Sequence, residues 1–164
     1  MKGAGERGVT LVELMVTIFI GAVILLAAST IVVQANIWLK KGQSRLALQR
    51  DFSLITRVLA ENIRDSEYGQ QKIYTSLSAY ANGSLSQSEG ACLQLFFPSG
   101  DSLLLYLEGN SFMLLAGADT TKLVQDNVQT VLFTDQGRYV QTAVILKKDN
   151  WTLADTLYDA FRNY

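Results

Sequence analysis

Residues 7–33 read R-G-V-T-L-V-E-L-M-V-T-I-F-I-G-A-V-I-L-L-A-A-S-T-I-V-V, and this stretch decides the fold. Its uncharged part, Leu14–Val33, is about 20 residues long, which as a helix is roughly 30 Å, the thickness of the hydrocarbon core of a bilayer. Glu13 is the charged residue set directly against this run. A carboxylate near the membrane core is costly unless it is paired, so we expect a membrane-spanning helix whose Glu13 has a partner.

Three kinds of N-terminal segment contain such a run. In a cleavable secretory signal the apolar region is about 7–15 residues long and a small-residue cleavage site follows it. The run here is longer, and cleavage of that kind would fall near Val32–Ala35. In a signal anchor nothing is removed, and in the third kind a short leader is removed just before the run. A protein that begins at Asn36, Met1 or Val9, respectively, distinguishes the three.

The stretch Arg7–Ile18 resembles the N-terminus of type IV prepilins and of type II secretion pseudopilins. In that family the leader ends in glycine and the fifth residue of the mature chain is glutamate. The resemblance implies cleavage after Gly8 by prepilin peptidase and N-methylation of the new N-terminus at Val9, where family members usually have phenylalanine. It also makes Glu13 the fifth-position glutamate, which acts in subunit assembly.

The resemblance further implies a role for Glu13 and a location for the protein. The carboxylate of one subunit would meet the amino terminus of an adjacent subunit and set the register between them. A filament-tip subunit of this family lacks the glutamate, so this chain is expected below the tip. The implied partners are other minor subunits, the major subunit, prepilin peptidase, the inner-membrane assembly platform and membrane lipid. The implied location is the bacterial inner membrane, crossed once with the head outside the cytoplasm, and then a periplasmic or surface filament.

The composition argues against several functions. The chain has no histidine and one cysteine, so zinc sites and the usual histidine-dependent catalytic arrangements are not expected. We predict no catalytic residues, no metal and no cofactor, and therefore no enzyme. The net charge is −1, and without a broad basic surface we predict no nucleic-acid partner. A small basic cluster past the apolar run is expected to face lipid headgroups or a neighbouring subunit; its members are Lys40, Lys41, Arg45 and Arg50.

The helical period continues beyond the membrane run. The only proline of the chain is Pro98, so a helix can run unbroken from about residue 10 to about residue 66. Gly21 and Gly42 are its weak points, and a kink or local melting at Gly42 is the alternative. Its second half carries an apolar residue every three or four positions, which makes one stripe that needs a sheet to pack on. The stripe consists of Leu48, Phe52, Ile55, Leu59 and Ile63.

Short alternating segments separated by turn residues follow the helix. Cys92 is expected to be buried in the first of them. The stretch 68–90 is expected to be a surface connection with a short turn of helix near 74–80, and 117–127 to be a looser segment. The predicted strands are a meander at 91–97, 103–107 and 111–116, then 128–134, 138–147 and a closing strand from about Thr156.

These features predict an α+β, pilin-like protein in which a long N-terminal helix, half transmembrane and half soluble, packs on an antiparallel sheet. The order of elements resembles minor pilins of the W type and pseudopilins of the J type. That likeness implies a structural subunit that helps initiate or cap a type IV pilus-like or type II secretion filament. A signal-anchored periplasmic sensor or ligand-binding domain is the alternative. The expected segments are a leader at 1–8, a transmembrane and assembly helix at 9–33, its amphipathic continuation at 34–66 and a globular head at 67–164.

Overall fold

The computed structural model describes residues 10–162. A single helix, α1, runs over Leu11–Asp65 as predicted, and it stays helical through Gly21 and Gly42. The chain divides into two compact units between Gln43 and Ser44, and the second unit contains all the strands. The elements after α1 are β1 Lys72–Tyr74, α2 Leu77–Ala81, β2 Glu89–Gly90, β3 Cys92–Phe96, β4 Ser102–Glu108, β5 Ser111–Ala116, β6 Asp119–Val124, β7 Val128–Asp135, β8 Tyr139–Lys148 and β9 Trp151–Ala160.

The second half of α1 presents the predicted apolar stripe to the core. Four members of the stripe are buried, and Phe52 is half-buried against the same cluster. The opposite face is polar, with Arg57 donating to Glu61 across one helical turn at 2.9 Å. Because residues three and four positions apart share one face of a helix, the spacing alone orients this segment. The buried members are Leu48, Ile55, Leu59 and Ile63.

The strands form two antiparallel sheets. The first has the order β1-β3-β4-β5-β6 and the second the order β2-β7-β8-β9. The predicted meander is β3-β4-β5, with Leu93 opposite Leu105 and Leu105 opposite Leu114. In β8 every second residue is buried, namely Val140, Thr142, Val144 and Leu146. Such alternation is expected of a sheet with one face on a core.

The main core lies where the buried face of α1 meets residues from both sheets. It unites the stripe of α1 with fully buried side chains such as Leu93 and Phe112 of the first sheet and Phe133 and Val144 of the second. The α+β, pilin-like architecture predicted from the sequence is therefore confirmed. The sequence predicted one sheet, whereas the structure divides the strands between two.

The prediction of a plain surface connection at 68–90 is wrong in part. This stretch contains β1 and β2 as well as the expected helical turn, which lies at Leu77–Ala81 with Ser76 as its N-cap. Ile73 and Tyr74 of β1 are buried, because β1 pairs with β3. Strands of two or three residues show too little alternation of apolar and polar residues to be predicted from the sequence. Their strand conformation depends on pairing with a strand distant in the chain.

The prediction of a looser segment at 117–127 is also wrong, because six of these residues form β6, which pairs with β5. The closing strand is confirmed, but it begins at Trp151 rather than near Thr156. A two-residue turn connects Lys148 to Trp151, and its first residue, Asp149, has φ 53°. The first position of such a turn is usually glycine or asparagine. Because Asp149 stands there instead, the hairpin signal in the sequence is weak.

A second, smaller cluster covers the other face of the first sheet. Tyr74 donates through its hydroxyl to Oε1 of Gln94 at 3.1 Å, and the Tyr74 and Tyr80 rings meet edge to face at 5.4 Å. Helix α2 packs on this cluster through Leu77 and Tyr80. Cys92 is buried there as predicted.

Candidate functional site

The start of α1 is built by a reciprocal pair of hydrogen bonds between Thr10 and Glu13. The Thr10 carbonyl accepts from the Leu14 N–H at 3.1 Å, which makes Thr10 the N-cap. Its hydroxyl accepts from the Glu13 N–H at 3.3 Å, and the Glu13 carboxylate accepts from the Thr10 N–H at 2.9 Å and from the Thr10 hydroxyl at 3.0 Å. This arrangement is a capping box, which satisfies backbone donors that the first turn leaves free.

The capping box gives Glu13 a partner within its own chain. The partner expected from the sequence was in an adjacent subunit, whereas Thr10 of the same chain binds Glu13. T-x-x-E before an apolar run is the sequence signature of this capping box. Of the predicted site residues, only Glu13 falls in the described part of the chain. Gly8 and Val9, the predicted cleavage and methylation positions, lie outside the described residues, so their roles stay predictions.

Beyond the cap, the first half of α1 is apolar and exposed among the described residues. Within residues 10–162, α1 is the one helix that is long and apolar enough to cross a membrane. The most apolar 18-residue window of α1 has a mean hydropathy of 2.7. Thr17 satisfies its hydroxyl by donating to the Glu13 carbonyl at 2.8 Å, and Ser29 and Thr30 likewise donate to carbonyls one turn earlier. The polar side chains of the run are thus compatible with hydrocarbon.

The four basic residues that follow the apolar run differ in their surroundings. The guanidinium of Arg45 lies over the ring of Trp151 at 5.9 Å, so α1 and β9 contact each other through a cation–π pair. Lys40, Lys41 and Arg50 are exposed. The predicted contact of this cluster with lipid headgroups or a neighbouring subunit stays a prediction.

The head places its reactive groups where they are occupied or shielded. Burial raises the pKa of the Cys92 thiol to about 11, so the thiol is protonated at neutral pH and is a poor nucleophile. Asp149 accepts from the Ser44 hydroxyl at 2.5 Å, and Asp155 accepts from the N–H of the residue after it at 2.8 Å. Burial raises the pKa of Asp159. Among residues 10–162, no group of three or more His, Cys, Asp or Glu side chains is arranged to hold a metal ion.

An open groove of about 660 Å³ lies beside Asn62, Phe97 and Asp101. Its polar groups are used locally, because Asp101 accepts from the Ser99 hydroxyl at 2.7 Å and Asn62 donates to the Val58 carbonyl at 2.7 Å. Ligand sites usually combine an apolar cavity with convergent polar groups. The groove therefore carries no specific argument for a ligand-binding domain.

Comparison with known proteins bears on the start of α1. Residues 4–29 match a family model described as the prokaryotic N-terminal methylation motif. No curated protein and no solved structure matches the chain. The motif covers the predicted cleavage position, the Thr10–Glu13 cap and most of the apolar run. It implies membrane anchoring, processing by a prepilin peptidase and assembly with other pilin subunits, and its family is structural. The chain thus carries, at the start of its long helix, the prokaryotic N-terminal methylation motif that is the signal of type IV pilins and pseudopilins.

Proposed function

We propose that this chain is a minor pilin or pseudopilin, a structural subunit that helps initiate or cap a type IV pilus-like or type II secretion filament. The observation that supports it best is the methylation motif at residues 4–29, set at the start of a 55-residue helix whose far half belongs to the core of a head. The assembly signal and the buried stripe of the head thus lie on the same helix. In this proposal prepilin peptidase cleaves after Gly8, Val9 is methylated, and the subunit leaves the inner membrane for the filament.

The role proposed for Glu13 is to bind the amino terminus of an adjacent subunit. The carboxylate is exposed at the first turn of α1, where only Thr10 contacts it in the described chain. A carboxylate in that position needs a compensating charge once it enters lipid or a filament interior. The capping box would hold the carboxylate in place before assembly, and the neighbouring amine would then supply the charge.

The experiment compares four variants of the full chain expressed in cells that make the filament. Gly8→Ala should leave the leader attached, so that the N-terminal sequence begins at Met1 instead of Val9. Glu13→Ala removes the cap and the charge together, and it should abolish incorporation into filaments.

Two further variants separate cap from charge. Glu13→Gln keeps an oxygen that can accept from Thr10 but has no charge, so it should fail to incorporate as Glu13→Ala does. Thr10→Val loses the hydroxyl but leaves the carboxylate charged, so it should still incorporate. Normal incorporation of Glu13→Gln would overturn the assembly role of the charge. An unprocessed wild-type chain, or full function of the Gly8→Ala variant, would favour an anchored sensor instead.

A further inference from the structure

The two sheets end in four edges, and three of them are short or blunted. Strand β1 has three residues and β2 has two. Strand β6 has six residues, carries Lys122 and pairs with β5 through an irregularity between Phe112 and Met113. Short length, lysine and bulges are among the features by which proteins prevent an edge from pairing with another strand.

Strand β9 lacks all three of these features. It is ten residues long, roughly 34 Å at the usual rise of a strand. It pairs with β8 residue by residue from Trp151 to Ala160 with no register shift, and it contains no proline and no lysine. It is the last strand in the order of its sheet, so no other strand among residues 10–162 pairs with its second side.

The hydrogen-bonding groups of this second side can be identified. The Thr156 N–H donates to the Asp155 carboxylate at 2.8 Å, so Thr156 belongs to the set of residues whose backbone points away from β8. In a regular antiparallel strand every second residue points the same way. The N–H and C=O groups facing the open edge are therefore those of Thr152, Ala154, Thr156, Tyr158 and Ala160.

The two faces of β9 differ in charge. The side chains of the even-numbered residues are uncharged, and those of the odd-numbered residues, on the core-facing side, include two aspartates. The edge-facing residues carry no charge, and Tyr158 is 64% exposed. On the core-facing side, Asp155 and Asp159 lie four residues apart and thus share a face. The buried Oδ2 of Asp159 has no hydrogen-bond partner among the described residues. The guanidinium of Arg162, three residues after Asp159 in the chain, lies 3.7 Å from the carboxylate of Asp65.

We propose that the open edge of β9 accepts an added β-strand from a neighbouring filament subunit. The strand that fits has small or β-branched residues on one face and lysine or arginine at two positions four residues apart on the other, opposite Asp155 and Asp159. The donors and acceptors of the edge then supply affinity, and the two acidic side chains supply selectivity. That the occupant is a filament subunit rests on the function proposed above.

The test uses the full chain in lipid nanodiscs and a synthetic peptide as the probe. The peptide is acetyl-Thr-Lys-Val-Val-Thr-Lys-Val-Val-Thr-amide, which in an antiparallel alignment places its lysines opposite Asp155 and Asp159. Its matched control has glutamate in place of both lysines. We expect the lysine peptide to slow hydrogen exchange at Ala154 and Tyr158, since the Thr156 N–H already donates to the Asp155 carboxylate, and to bind at least ten-fold more tightly than the glutamate peptide.

Ala154→Pro removes one edge donor without removing a bond to β8, since proline is tolerated at the open side of an edge strand. It should weaken the lysine peptide at least ten-fold, whereas the matched Ala154→Val should bind as the parent does. If Ala154→Pro also lowers the thermal midpoint of the head, a lysine peptide with alternate backbone amides N-methylated is used instead. Methylation removes the peptide's own donors to the β9 edge and leaves the protein unchanged. Equal binding of the two peptides, unchanged binding of both blocked forms, or absence of edge protection would overturn the proposal.

A failure here is distinguishable from a failure of the proposed function. Cleavage at Gly8 and incorporation into filaments are read from the N-terminus and from the filament fraction, and neither depends on peptide binding. In cells, Ala154→Pro should still be processed to begin at Val9 but should lose a cross-link between β9 and its neighbour. If the parent chain is never processed, the function falls while the edge is still tested by the peptide.

Discussion

Replacing Ile55 by alanine tests whether the stripe of α1 supplies the core of the head. Ile55 is fully buried in the middle of the stripe. The change removes three carbon atoms, which at about 0.8 kcal/mol each is about 2.4 kcal/mol of lost burial. Incomplete collapse of the resulting cavity adds to this, so we expect a loss of about 3–4 kcal/mol of unfolding free energy.

The control is Leu54→Ala, one position away on the same helix. Leu54 is 37% exposed and lies outside the main cluster. It should cost about 1–2 kcal/mol, clearly less than Ile55→Ala, because more than a third of the Leu54 surface already reaches water and its truncation leaves no closed cavity in the main cluster. Helix propensity changes in the same direction in both variants, so it does not explain a difference between them.

Urea unfolding of the full chain in nanodiscs measures both variants. Trp38 and Trp151 are the two tryptophans of the chain, and a Trp38→Phe background leaves Trp151 as the reporter. Its ring lies beside Arg45 in the head, so its fluorescence follows loss of the contact between α1 and β9. Equal midpoints for Ile55→Ala and Leu54→Ala would refute the assignment of the core to this face of α1.

Two further predictions concern the sheets. Gly90→Ala should lower the thermal midpoint of the head by several degrees, because a Cβ there would collide with the backbone carbonyl of Tyr74. The control Gly21→Ala, at a site with open space, should leave that midpoint unchanged. Equal midpoints would contradict the close approach of β2 to β1. Cys92 should react with iodoacetamide at pH 8 at least ten-fold more slowly in the folded protein than in urea, because burial raises its pKa to about 11 and keeps the thiolate scarce; similar rates in both conditions would show that the thiol is accessible.

The sequence alone predicts the N-terminal motif, because the apolar run, the glycine before it and Glu13 lie within a few residues of each other, and residues 4–29 match the methylation motif. The roles of Gly8, Val9 and Glu13 stay predictions. The hydrogen bonds between Thr10 and Glu13 were not among the predictions, although they too depend on a spacing of three residues and the T-x-x-E pattern encodes them.

The strands that were predicted and those that were missed differ in where their information lies. Strands β3, β4, β5, β7 and β8 bury alternate or consecutive apolar residues and are bounded by turn residues, so their own sequence marks them. Strand β6 reads D-T-T-K-L-V and is exposed over its first four residues. Its strand conformation depends on pairing with β5, as that of β1 depends on β3.

The sequence by itself determined the long helix, the position of its apolar stripe and the chemistry of its first turn, because each depends on residues no more than a few positions apart. Tertiary structure alone decided that the strands divide into two sheets, that β1 and β2 form, and that β9 ends its sheet with no strand on its second side among residues 10–162. Strand order and edge exposure follow from contacts between residues far apart in the chain, and no local pattern encodes which strand will be left without a second neighbour.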